Sequence, residues 1–112
     1  PTEDFTEFPI SLDKHLIHNT AATFMAYANG NSMIRSGIHH GDILIIDRSI
    51  DARNGDIIIA VLNGEFMVKE LSIINNTLSI IPQNSDYLPM RVSEDMDFQI
   101  WGVVTYSIRN HR

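Results

Sequence analysis

The sequence contains no cysteine, so a disulfide framework, a thiolate metal site and a thiol nucleophile are all excluded, a usage that suits the cytosol. It also lacks any apolar run near the roughly 20 residues that a membrane-spanning helix needs. The densest runs, Ile43 to Ile46 and Ile57 to Leu62, are far shorter, and the expectation is a protein without a membrane anchor. Basic charge is scarce as well: eight Lys and Arg stand against fourteen Asp and Glu, for a net charge of -6. The basic residues are scattered from Lys14 to Arg112 rather than clustered, which argues against direct nucleic-acid binding. No internal repeat, low-complexity tract or domain boundary stands out in the 112 residues, and 44% of them are hydrophobic, enough for one core.

Residues 1–10 read as an extended arm, acidic and polar from Pro1 to Glu7, that docks through the rings of Phe5 and Phe8. Residues 11–112 read as a single domain. Ser11 or Asp13 can cap a short helix whose Leu12, Leu16 and Ile17 cover one face. Thr20 to Ala28 has strand character and ends at Asn29-Gly30, a pair suited to a tight turn. Ser32 to Ser36 is long enough for one helical turn, closed by Gly37.

Ile43 to Asp47 and Ile57 to Leu62 are unalternating apolar runs, the pattern of strands buried on both faces. Asn63-Gly64 is a strong hairpin signal, Glu65 to Ile74 the return strand, Asn75-Asn76 a second reversal and Thr77 to Pro82 a further strand. These four segments are expected to form consecutive antiparallel pairs. A polar loop follows to Pro89, then an edge strand starting at Met90 or Arg91. Phe98 to Ile108 is a long closing strand with a bulge or bend near Gly102. Trp101 reads as a core or interface ring. The fold class is all-β, mainly antiparallel, with one or two short helical turns.

One pair of residues suggests chemistry. Ser32 follows a strand that breaks at Asn29-Gly30, and Lys69 lies on the return strand of the Asn63-Gly64 hairpin among Phe66, Met67, Val68, Leu71 and Ile73. A serine nucleophile needs a proton acceptor and donors for the oxyanion. A lysine serves as the acceptor once burial lowers its pKa by roughly three units. Lys14, the other lysine, lies in a polar helix start. His15, His18, His39, His40 and His111 are alternative bases, and His39-His40 an alternative metal pair, but adjacent histidines on extended chain point oppositely and no further ligand cluster accompanies them. A plain structural role, with Lys69 packed beside hydrophobic strands and Ser32 as a turn residue, also fits these residues.

Four motifs add a resemblance. Gly30-Asn31-Ser32-Met33-Ile34, Gly41-Asp42-Ile43-Leu44-Ile45-Ile46-Asp47, Gly55-Asp56-Ile57-Ile58-Ile59-Ala60 and Gly64-Glu65-Phe66-Met67-Val68-Lys69 resemble, in order and spacing, the LexA/UmuD self-cleaving serine peptidases, with the closest likeness to the UmuD branch. The likeness runs from about Phe24 to Arg109 and includes Ile81-Pro82-Gln83-Asn84-Ser85 and Trp101-Gly102-Val103-Val104.

The resemblance implies highly curved sheets of the LexA and signal-peptidase kind, Ser32 as nucleophile, Lys69 as general base and the Ser32 backbone N–H as one oxyanion donor, with no cofactor and no metal. It implies cleavage of a peptide bond in the protein's own N-terminal segment, stimulated by RecA on single-stranded DNA. It further implies a cytoplasmic homodimer that joins a Y-family polymerase in translesion synthesis during the SOS response. Relatives cut at Ala-Gly or Cys-Gly; neither dipeptide occurs here, so the expected scissile bond lies upstream of Pro1 and the chain reads as a processed or shortened form. Asn31 departs from the acidic residue common before the serine, and Glu70 stands where signal peptidases usually place arginine. The alternative within the resemblance is the C-terminal cleavage and dimerisation domain of a LexA-like or phage-type repressor; a third reading is a dimerisation module with an idle serine.

Overall fold

The computed structural model describes residues 4–6 and 11–112. Seven strands form one sheet: β1 (Thr23–Tyr27), β2 (Ile43–Asp47), β3 (Ile57–Leu62), β4 (Glu65–Ile74), β5 (Thr77–Ile81), β6 (Met90–Arg91) and β7 (Phe98–Ile108). All pairings are antiparallel, in the spatial order β1-β2-β7-β3-β4-β5-β6. Helical structure is limited to α1 (Leu12–Leu16) and two 3-10 turns, Thr20–Ala22 and Ile34–Ser36. The all-β class expected from the sequence is therefore the class observed. No helix among the described residues is long and apolar enough to cross a membrane.

The hairpins follow from local chemistry. Asn63 and Gly64 adopt φ of 49° and 84°, and Asn75 and Asn76 adopt 50° and 61°, so both two-residue loops have the left-handed backbone that matches the twist of the strands they join. The unalternating runs are buried as expected. On β3, Ile59 joins a core cluster with Ala28, Met33, Ile38, Leu44 and Ile46, while Ile58, Ala60 and Leu62 join a second with Leu71, Ile80 and Val103. One strand thus supplies both cores, which is why it carries no polar alternation.

Four local expectations need correction. β2 and β3 are not neighbours, because the 11-residue β7 lies between them and pairs with both. Apolar runs show that a strand is buried but not which strand covers its edges, so the consecutive pairing holds for β3-β4-β5 and fails for β2-β3. The β1 strand starts at Thr23 rather than Thr20, after a 3-10 turn. In α1, Ser11 occupies the N-cap position, but its hydroxyl donates to the Asp13 carboxylate instead of receiving a backbone N–H, and Leu12 stays exposed while Leu16 and Ile17 are partly buried. Phe5 is also largely exposed rather than docked, and Phe8 lies outside the described residues.

The irregularity expected near Gly102 is present. Ile59 pairs with Gly102 and Ala60 with Ile100, leaving Trp101 as the extra residue of a β-bulge. A second register shift, between Ile45 and Ile46, skips Thr105. At Gly102 the neighbouring β2 strand comes close: a Cβ there would meet Ile46 Cγ2 at 2.6 Å.

Candidate active site

Ser32 lies in the turn that connects β1 to the 3-10 turn Ile34–Ser36, and this turn is held from several sides. Met33, next to Ser32, is 2% exposed and packs in the first core cluster with Ile38. The Ile38 N–H donates to the Met33 carbonyl, and Gly37, at φ 80°, ends the 3-10 turn as the sequence suggested. From the other side of the chain, Asn84 Nδ2 donates to the Asn31 carbonyl at 2.7 Å, and the Arg35 N–H donates to the Gln83 carbonyl at 2.8 Å. Burying one neighbour and bonding the backbone of the others fixes a serine without occupying its hydroxyl.

Lys69 arrives from β4, where it pairs with the fully buried Ile58. Its ammonium nitrogen donates to Ser32 Oγ at 3.0 Å across 37 residues of sequence. Both side chains are partly buried, in a pocket of about 120 Å³ that Ala28, Met33, Ile38, Phe66 and Val68 also line. Burial lowers the Lys69 pKa from the ordinary lysine value, because the apolar surroundings disfavour the ammonium. Among the described residues no carboxylate forms an ion pair with Lys69 that would offset this. The Ser32 N–H likewise has no acceptor among the described residues.

Beside the Ser32 pocket runs a larger apolar groove of about 320 Å³, sharing Asn29, Phe66, Met67 and Val68 with it. Its aromatic residues are Phe24 and Tyr27 from β1, Phe66 from β4 and Trp101 from the β7 bulge. Phe24 meets the Trp101 ring edge-on with centroids 5.1 Å apart, and Phe66 does so at 6.3 Å. Arg48 closes the indole on another side, its guanidinium 4.3 Å from the ring centroid and its Nε donating to the Trp101 carbonyl. Trp101, read from sequence as a core or interface ring, is half-buried and does both: it packs on the first core cluster and lines the groove.

The histidines do not contact the Ser32 hydroxyl. His40 accepts the Gly30 N–H through Nδ1 at 2.9 Å, the His39 N–H donates to the Asp42 carboxylate, and the His15 ring lies beside Tyr106. Among the described residues no three His, Cys, Asp or Glu side chains converge as a metal site would need. Sequence reasoning missed the Arg109–Asp42 pair: Arg109 holds the nearly inaccessible Asp42 carboxylate with two hydrogen bonds of 3.0 Å and donates to the Gly37 carbonyl at 2.7 Å. The Arg109 guanidinium, helped by the His39 N–H, holds the Asp42 carboxyl down to about 2. Asp42 was visible within the Gly41-Asp42 motif, but nothing in the sequence pointed to Arg109 as its partner.

Comparison with known proteins gives the family. The Peptidase S24-like family profile matches residues 2–105. The chain is 38% identical to protein SamA of Salmonella typhimurium over its whole length and 77% of that protein, and 32% identical to protein MucA of Escherichia coli over 99% of the chain and 76% of that protein. It is 34% identical to the LexA repressor of Stenotrophomonas maltophilia over 92% of the chain and 48% of that protein. With most of its length matched by the profile and by these relatives, the chain belongs to the Peptidase S24-like family of UmuD- and LexA-like self-cleaving serine peptidases.

Proposed function

We propose that the chain is a UmuD-like mutagenesis subunit in which Ser32 is the nucleophile and Lys69 the general base of a single self-cleavage. The observation that carries this reading is the 3.0 Å Lys69 Nζ to Ser32 Oγ contact in a partly buried pocket beside an apolar groove. In its neutral form Lys69 takes the Ser32 hydroxyl proton as Oγ attacks the scissile carbonyl, and the Ser32 N–H receives the developing oxyanion. The resulting Lys69 ammonium gives its proton to the leaving amine, so the peptide bond breaks and an ester on Ser32 remains. A water that loses its proton to Lys69 then hydrolyses this ester, and the proton returns to Oγ. The apolar groove beside the dyad, with Phe24, Phe66 and Trp101, offers a surface for the apolar side chains of the segment being cut.

In this reading the protein is a cytoplasmic homodimer, its cleavage is stimulated by a RecA filament on single-stranded DNA, and the cut form joins a Y-family polymerase in translesion synthesis. Support comes from the UmuD-like relatives and from the scattered, net acidic charge, which gives the chain no basic face of its own for DNA. Incubating the complete gene product with RecA filament tests it. A shortened product is expected from the wild type and not from Ser32→Ala or Lys69→Ala; unchanged cleavage in either variant removes the dyad assignment.

A second reading, the cleavage and dimerisation domain of a LexA-like repressor, is favoured by the 34% identity to a LexA repressor. Specific operator binding by the complete gene product would select it over the mutagenesis subunit.

A further inference from the structure

We propose that His40 is a positioning residue for the nucleophile: its neutral imidazole holds the serine turn by the Gly30 backbone, and protonation of the ring releases it. This rests on the reading of Ser32 as nucleophile.

The turn from Gly30 to Met33 has three kinds of restraint. Met33 is anchored by burial, and Asn31 is held through its carbonyl by Asn84. At the start of the turn the restraint is His40. Its Nδ1 accepts the Gly30 N–H at 2.9 Å, and its own N–H reaches the Asn31 side-chain oxygen at 3.4 Å. One residue therefore touches both positions immediately before Ser32.

The histidine can act as a restraint because its loop is itself fixed. The Gly41 N–H donates to the Ala28 carbonyl and the Ala28 N–H to the Asp42 carbonyl, both at 2.8 Å, so the loop is stitched to the end of β1 on the far side of His40. Arg109 then clamps Asp42 and Gly37. With Ala28 and Asp42 immobile, a shift of Gly30 has to stretch the Gly30–His40 contact.

An imidazole nitrogen accepts a hydrogen bond only while it carries no proton, and the doubly protonated ring presents N–H groups at both nitrogens. His40 is exposed to solvent. On protonation its Nδ1–H would oppose the Gly30 N–H, and the turn would lose its restraint two residues before the nucleophile. The ionisable groups around it are His39 and Asp42 on its own loop, Arg109 just after β7 with Asp42, Asp86 beyond Asn84, and Lys69 on β4 beyond Ser32. The Asp42 carboxylate is already engaged by Arg109 and by the His39 N–H.

The experiment is the rate at which a fluorophosphonate labels Ser32 of the 112-residue chain, measured against pH for the wild type, His40→Leu and His40→Asn. In the same samples the Gly30 amide resonance is followed by NMR and the thermal midpoint is recorded. Asparagine places an oxygen where histidine places Nδ1 and keeps it an acceptor at every pH. His40→Leu is expected to label roughly fivefold more slowly at neutral pH, the effect of one net hydrogen bond, with a thermal midpoint close to wild type. His40→Asn is expected to restore the rate and to lose the acidic inflection that the wild type shows, and the wild-type Gly30 amide shift is expected to titrate with the His40 ring.

A His40→Leu profile superimposable on wild type, an acidic inflection that survives in His40→Asn, or a Gly30 amide indifferent to His40 titration would each overturn the proposal. Ser32→Ala and Lys69→Ala separate the two levels. If both abolish labelling while His40→Leu matches wild type, His40 alone is wrong; if Ser32→Ala labels like wild type, the nucleophile assignment is wrong and His40 has no nucleophile to position. The Gly30 titration is read in the Ser32→Ala chain too, where it reports the contact without the chemistry.

Discussion

Arg109 at the end of β7 holds Asp42 with two nitrogens, Nε on Oδ1 and Nη2 on Oδ2, both at 3.0 Å. The carboxylate is 3% exposed and the guanidinium 38%, so the acid is the buried partner and the base its cover. The pair joins a strand near the end of the chain to the loop behind Ser32, and its energetics should show in acid. The folded-state carboxyl titrates at about 2, below the unfolded value of about 3.9. Its contribution is therefore whole above about pH 4 and lost as the pH falls through about 2. Urea midpoints measured across that window should fall for the wild type, and this component of the slope should vanish in Asp42→Asn.

Removing only the base should be worse than removing both charges. Arg109→Ala leaves Asp42 buried with the His39 N–H as its main support, whereas Asp42→Asn with Arg109→Ala leaves no uncompensated charge. The single variant is expected to unfold at a lower urea concentration than the double variant at pH 7.

Lys69 carries the opposite sign. Its folded-state pKa lies below the unfolded lysine value of about 10.4, so the ammonium is disfavoured in the native state at neutral pH, and stability rises with pH from the folded pKa up to the unfolded one. Lys69→Met should lower cleavage by about 10²–10⁴-fold, the usual contribution of a general base, while leaving the thermal midpoint equal or higher. In the wild type the cleavage rate should climb with pH to a plateau whose midpoint falls below that of a free lysine.

Gly102→Ala tests the close approach of β2 to β7. The added Cβ would meet Ile46 Cγ2 at 2.6 Å and Arg48 Cγ at 3.3 Å, and Ile46 is itself buried in the first core cluster. A loss of about 1–3 kcal/mol, read by urea unfolding, is expected for this overpacking.

Phe66 and Trp101 should separate binding from folding. Phe66 is 66% exposed, so Phe66→Ala should change the unfolding free energy by less than about 1 kcal/mol while raising the concentration of a cleavage-site peptide needed for half-maximal cutting in trans. Trp101→Ala also removes core packing and the Arg48 contact, and should lower both stability and cutting.

Much of this architecture can be read from local chemistry. The bounds of β2, β3 and β4 follow from apolar runs closed by Asp47, Asn63-Gly64 and Asn75-Asn76, signals contained within a few residues. Ser32 and Lys69 were legible for the same reason, one after a strand-ending turn and the other on a hairpin's return strand. The position of β7 was not, because its partners Ile43 and Ile58 are more than forty residues away and no local pattern encodes such pairing. His40 and Asn84 were visible in the sequence, but their contacts were not, because each acts on a backbone group of another loop, which leaves no trace in side-chain spacing. Ser11 misled for the converse reason: its sequence position suits a cap, but its hydroxyl found the Asp13 carboxylate first.

The central place of β7 also sets a schedule for the site. The Ser32 turn follows β1 and precedes β2 on one side of β7, and Lys69 lies on β4 on the other, so the two ribbons have no shared sheet neighbour until residues 98–108 are laid between them. Both residues precede that strand in the sequence. A chain in which β7 is not yet in place therefore holds Ser32 and Lys69 on separate ribbons. The strand order thus makes the Ser32–Lys69 contact a product of sheet closure by β7 rather than of either ribbon alone.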